Sequence, residues 1–172
     1  MTNTVDIGSS SFSHTNLSIP IPTVSAGLMV STAGALLIAE FGLGVESPLV
    51  PHINNFNMIQ LFGTIGVKSG LYVPSKLRIL VTQTNMSLLG APEEIIFIGE
   101  ENLSEIFIDI QNSNSKLISF NTSIGGSDNI VFHGYHRYRL YIVRVGELVN
   151  PGSEPIVTGP IEFQGVSYVK SA

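Results

Sequence analysis

The sequence predicts an all-β protein: an antiparallel β-sandwich, preferably a jelly roll, with an extended N-terminal arm. Three observations carry that expectation. Short runs rich in Val, Ile, Leu, Phe and Tyr recur along the chain, several with a period of two. Clusters of Gly, Pro, Asn and Asp punctuate them. No stretch sustains a long helical pattern. About eight to ten short strands in one chain favour two sheets closed on each other, because a jelly roll leaves few free edges.

Residues 1–16 are polar and rich in Ser, Thr and Asn, with Val5, Ile7 and Phe12 as the sizeable apolar residues after the start. Alone, such a segment is a flexible arm. A neighbouring subunit that accepts it as an added strand is one way to hold it; folding back on its own domain is the other. Residues 17–172 are read as one domain. Residues 17–22 (LSIPIP) hold Pro20 and Pro22, which cannot donate to a ladder, so they form an edge or a crossover.

Residues 35–43 predict a buried strand, and residues 46–57 a loop. Residues 56–67 predict a strand, in which Gly63 and Gly66 mark a bulge or a close backbone approach. In residues 76–84 Leu77, Ile79 and Val81 face one way, and Lys76, Arg78 and Thr82 the other. Residues 94–98 and 105–109 read as two strands around an acidic turn, Gly99 to Asn102. Residues 116–123 are another strand. The last pair is residues 156–158 and 161–169, split by Gly159-Pro160.

Residues 129–146 organise the rest. They read as two strands, 129–132 and 138–145, joined by the turn His133-Gly134-Tyr135-His136. Tyr138, Leu140 and Ile142 alternate with Arg137, Arg139 and Tyr141. Val143 and Val145 then place apolar residues on the second face. A strand apolar on both faces is covered on both, which marks a central strand whose outer side meets something.

The chain has 172 residues, 44% hydrophobic and 12% charged. That charge share is half of the roughly 25% usual in soluble domains. Mean hydropathy is +0.34. So few ions predict strand faces hidden against further copies, a homo-oligomer held by those faces and by the arm; the plain alternative is a monomer with a neutral polar surface. The interface residues expected are Val5, Ile7, Phe12, Tyr138, Tyr141 and Val143.

A formal net charge of −5 and a pI near 5.2 disfavour nucleic acid as a partner. Cysteine is absent, so there is no disulfide framework, thiolate metal site or Cys nucleophile. Residues 1–67 hold no Lys or Arg, which argues against a secretory signal. Residues 24–39 are uncharged, but Ser and Gly dilute them and Glu40 follows; no membrane span is expected.

Chemical motifs are weak. His133 and His136, with His14 or His52, would make a histidine metal site only with a third ligand at fixed spacing, and none is evident. The pairs Glu93/Glu94 and Glu100/Glu101 resemble glycosidase carboxylates in number only, since adjacent side chains point to different sides. Asp128-Asn129 lacks the nearby carboxylates of a calcium site. Phe132, Tyr135, Tyr138 and Tyr141 suit a core or an interface better than sugar stacking. The chain is expected to have no catalytic residue, no cofactor and no metal, and not to be an enzyme.

Residues 134–143 (GYHRYRLYIV) and 157–168 (VTGPIEFQGVSY) resemble the "G-x-H/Y-x-Y-x-L-x-V" and "G-P-(I/V)-x-F-x-G-x-(A/S)-Y" strands of exosporium protein C-like proteins, small surface proteins of bacterial spores. Residues 36–43 and 62–67 fit as well, so the resemblance runs over residues 35–169; the polar arm departs from it. The resemblance implies a non-catalytic structural component of the exosporium, coat or an appendage fibre. It also implies deposition on the spore surface from the mother-cell cytoplasm, and other spore-surface proteins as further partners. A carbohydrate- or receptor-binding jelly-roll module, lectin-like or a phage tip, is the alternative. It would use an exposed cluster of Tyr135, His136 and Asn54 or Asn57.

Overall fold

The computed structural model describes residues 2–12, 17–27, 30–46, 56–68, 76–103, 115–125, 133–147 and 154–170. They form ten strands and, among the described residues, no helix. The strands are β1 (Thr2–Phe12), β2 (Ile19–Pro20), β3 (Thr23–Val24), β4 (Leu36–Val45), β5 (Phe56–Lys68), β6 (Lys76–Asn85), β7 (Glu94–Asn102), β8 (Ser115–Gly125), β9 (Gly134–Val145) and β10 (Ile156–Lys170).

The long strands pair as a nested set. β6 pairs with β7, β5 with β8, β4 with β9 and β1 with β10, all antiparallel. Cross-pairs β5·β10 and β6·β9 gather them into two sheets. Sheet A has the order β1-β10-β5-β8, and sheet B has β9 between β6 and β4, with β7 outside β6. This is the jelly-roll sandwich.

Alternation explains the core. Tyr138, Leu140 and Ile142 of β9 point inward, as do Leu77, Ile79 and Val81 of β6 and Ile59, Leu61, Ile65 and Val67 of β5. Phe41, Tyr138 and Phe163 stack across the sheets, with Phe41 and Phe163 ring centres 4.7 Å apart.

The short strands carry the chain from one sheet to the other. β2 pairs with β10, and β3 runs parallel to β9. Pro20 and Pro22 suit this crossover because it needs acceptors: the Pro22 carbonyl takes the Arg144 N–H at 2.8 Å, and Val24 takes Gly146 at 3.1 Å. Ile21 between them is fully buried and plugs that end of the core.

The two lateral seams differ. At one, β1 of sheet A meets β4 of sheet B. A Cβ on Gly8 would stand 2.4 Å from the Gly42 carbonyl oxygen, so only glycine permits this approach. Asp6 accepts the Gly44 N–H at 2.7 Å, and the Ser167 hydroxyl donates to the Gly44 carbonyl at 2.7 Å. Side chains thus occupy polar groups on the β4 edge that no strand pairs. At the other seam Phe97 of β7 stacks on Phe120 of β8 at 5.1 Å, and Lys116 pairs with Glu101.

Several expectations need correction. The arm is not one of them, since it takes the fold-back course of the two expected: β1 pairs with β10 from Thr2↔Lys170 to Phe12↔Ile161. Gly99 to Asn102 is the second half of β7 and not a turn. Tyr135 and His136 lie in β9 and not in a turn. Gly159-Pro160 shifts register within β10 without ending it. The expected strands at residues 105–109 and 129–132 lie outside the described residues. The close approach expected at Gly66 is present: a Cβ there would meet the Gly159 carbonyl oxygen at 1.9 Å.

Candidate functional site

Each sheet turns a second face outward, and the two faces are chemically unlike. On sheet B, row follows row across the strands. Leu37 (β4) faces Tyr141 (β9), Tyr141 faces Leu80 (β6), and Leu80 faces Ile98 (β7). Leu80, Tyr141 and Val143 are buried on this outer side, while Leu37 and Ile98 at the ends are 42% and 49% exposed.

Charged side chains border the row. Arg139 bonds Glu40 at 2.9 Å and lies 3.5 Å from Glu93. Glu93 also accepts from Thr82 at 2.5 Å and from the Tyr141 hydroxyl at 2.9 Å. Arg78 and Lys76 both pair with Glu100, Arg78 at 2.8 Å. Burial, the largest single influence, pushes the Glu93 carboxyl up; the bonds from Thr82 and Tyr141 and the charges of Arg139 and Arg137 together outweigh it and hold the carboxyl below its ordinary range. Bonds from Lys76 and Arg78 lower Glu100 in the same direction. Burial, then the hydrogen bond to Glu93 and its charge, raises the Tyr141 phenol.

The outer face of sheet A is neutral and open. One row reads Ser9, Gln164, Phe62, Asn121 across β1, β10, β5 and β8; the next reads Ser11, Glu162, Thr64, Ser119. Thr64 and Ser119 share a hydrogen bond of 3.2 Å. Among the described outward side chains of these four strands, Glu162 is the carboxylate and Lys68, at the end of β5, the cation.

Concavities also lie beside the strands. A cleft of about 540 Å³ lies by the β1–β4 seam, lined by Val5, Asp6, Gly44, Glu46, His133 and Tyr135 among others. A smaller pocket of about 170 Å³ lies under the β6–β7 turn, lined by Gln83, Asn85, Glu94 and His136 with Leu88 and Pro92. His136 is buried, and Gln83 Nε2 donates to its Nδ1 at 2.5 Å.

The structure distributes the sequence-expected residues unevenly. Ile7 is 66% exposed on the outer face of sheet A, and Val5 lines the seam cleft. Phe12 lies in β1 opposite Ile161. Tyr138 is a correction: its parity places it inside the chain's own core, fully buried, where its hydroxyl has no hydrogen-bond partner among the described residues and burial pushes the phenol up. Tyr141 and Val143 point outward as the alternation implied, but both are already covered within the single chain.

The cluster of Tyr135, His136 and Asn57 does not assemble. Tyr135 and His136 line different concavities, and Asn57 is buried, donating to the Glu46 carbonyl at 3.3 Å. Asn54, His14, His52, Asp128, Asn129 and Phe132 lie outside the described residues. Among the described residues no three His, Cys, Asp or Glu side chains are grouped to hold a metal ion. No described helix is long and apolar enough to cross a membrane.

Sequence reasoning did not single out Gln83, Asn85 and Glu94 as neighbours of His136. Cross-strand register brings them together, and no one-dimensional spacing shows it.

No family model matches the chain. No curated protein matches it either. Among solved structures it is similar to a chain of the T13 IBDV viral particle, at 12% identity and a TM-score of 0.42, over 99% of this chain and 36% of that one. This chain therefore spans about a third of the length of that neighbour.

Proposed function

We propose that this chain is a non-catalytic structural protein that assembles with copies of itself through β1 and its strand faces, as a component of the bacterial spore surface. The observation that carries the self-assembly is β1. It is an edge strand, held along its length by backbone pairing to β10 and across the seam by Asp6 and Gly8. All of these contacts serve equally well when the strand comes from a neighbour, which is the requirement for strand exchange. The spore assignment rests on the resemblance of residues 35–169 alone.

Light scattering on the purified chain at micromolar concentration, with electron micrographs, tests the assembly. Oligomers, fibres or layers that dissociate when residues 1–12 are removed are the expected result. A monomer with β1 paired in place overturns it. Immunogold labelling of intact spores tests the location; label absent from the outer layers removes that half of the proposal.

A second reading, a ligand-binding module, is favoured by the pocket under the β6–β7 turn. Convergent amide, carboxylate and imidazole groups beside apolar Leu88 and Pro92, at the mouth of a β-sandwich, suit a small polyhydroxyl compound. Titration with neutral monosaccharides, followed by amide shifts of Gln83 and Asn85, tests it; unmoved signals at millimolar sugar count against it.

A further inference from the structure

We propose that the neutral outer face of sheet A is where one copy of this chain packs flat against a second copy. This deepens the self-assembly reading and rests on it; it assigns that contact to a surface distinct from the exchanged edge.

Three observations select the occupant. The first is charge. Among the described residues, Arg139 with Glu40 and Arg78 with Glu100 pair on sheet B, and Lys116 with Glu101 at the β7–β8 seam. The middle of sheet A carries Glu162 alone among its described outward side chains. Charged groups are the residues depleted from the centre of protein interfaces. A chain with a net charge of −5 also meets its own copy with least repulsion where its charge is absent.

The second is hydrogen-bonding chemistry. Ser9, Gln164, Asn121 and Ser119 are each donor and acceptor. A two-fold contact opposes a surface to itself, residue i meeting j and j meeting i, so the one patch must supply both donors and acceptors. Hydroxyl and amide rows meet that condition, and rows of one ion do not. Phe62, half-buried in the middle of the row, supplies an apolar anchor.

The third is size. Four strands abreast and about ten residues long present roughly 600 Å² in projection. The accessible area of a face covered in side chains is larger and approaches the ~800 Å² per partner of a stable complex. The face is open to receive it: Ser9, Gln164, Asn121 and Ser119 are exposed in the single chain.

The natural chain has no cysteine, so a single introduced thiol reports on one place. Asn121→Cys is compared with Leu37→Cys on the outer face of sheet B, each labelled with a maleimide at concentrations below and above assembly. The expected result is protection of position 121 on assembly and unchanged labelling at 37. In parallel, Gln164→Lys with Asn121→Lys sets cations against cations across the contact. It is expected to weaken association on the order of 100-fold, with the monomer's circular dichroism and thermal midpoint retained.

If the natural chain assembles but the lysine variant assembles equally and position 121 labels freely, this inference falls and the self-assembly reading stands. If the natural chain is monomeric throughout, both fall. If a monomeric natural chain is retained on cellulose or amylose and the lysine variant is not, the face belongs to a neutral polysaccharide, and the second copy is overturned as its occupant.

Discussion

The two outer faces of this sandwich solve the same problem in opposite ways. Both sheets bury one side against a shared core and leave the other to be accounted for. Sheet B hides apolar residues there, Leu80 and Tyr141, and lays an ionic border of Arg139, Glu93, Arg78 and Glu100 beside them. Sheet A leaves its outer side open, with hydroxyls and amides around Phe62 and with Ile7 and Leu117 exposed beside them. The difference teaches that low overall charge is not a uniform property of this surface. Among the described residues the charged pairs gather on sheet B and at its seam, and the middle of sheet A's outer side carries Glu162 alone.

Backbone crowding gives the largest expected contrast. Gly66→Ala in sheet A drives a methyl into the Gly159 carbonyl, which is backbone and cannot step aside, and should destabilise by about 3 kcal/mol or more. Gly42→Ala in sheet B meets the tip of the Tyr135 side chain, which can swing away, and should cost about 1 kcal/mol. Urea midpoints of the two variants check the order; equal losses contradict the distinction.

Aromatic truncation sharpens the comparison of the faces themselves. Tyr141→Ala empties a buried site on sheet B and should cost about 3 kcal/mol. Phe62→Ala on sheet A removes a half-buried ring from an open face and should cost about 1 kcal/mol in the monomer. If thermal denaturation ranks Phe62 above Tyr141, the assignment of covered and open faces is wrong.

Acid should act through sheet B. The Glu93 and Glu100 carboxyls are held below their ordinary range. A depressed carboxyl contributes stability that is present above its unfolded pKa, about 4.3, and is lost as pH falls through the folded value. The thermal midpoint should therefore drop on acidification below about pH 4, and by less in Glu93→Gln. An unchanged slope in that variant removes Glu93 from the account. The smallest effect belongs to sheet A: Gln164→Ala should leave monomer stability within about 0.5 kcal/mol.

The fold was legible because its signal is local. Alternation in residues 76–84 and 138–142 marks which side of β6 and β9 is buried, and Pro20 and Pro22 mark the crossover. What escaped detection depends on partners distant in sequence. β1 has few large apolar residues, so composition reads it as an arm; its strand character comes from backbone pairing to β10, which leaves no trace in side-chain type. Glu100 and Glu101 read as a solvated turn until Arg78, Lys76 and Lys116 arrive beside them from other strands. Tyr138 and Tyr141 stand three apart, which on a strand sets them on opposite sides; alternation alone does not say which side is the chain's own core, and packing against Phe41 settles it for Tyr138. The neutral face of sheet A is invisible in one dimension because each of its rows draws one residue from each of four separate strands.

The nesting of the strand pairs has a kinetic corollary. The innermost hairpin, β6 with β7, joins neighbours in sequence and closes a short loop, whereas β1 with β10 must wait for the longest excursion of the chain to be drawn in. Zipping from the inside outward leaves the first-written strand as the last to find its place. During that interval the margin of β10 would lie vacant, and a segment from another molecule would compete for it once its concentration approached the effective concentration of the tethered one. Whether a copy closes upon itself or links to its neighbour would then be decided by crowding at the moment of folding.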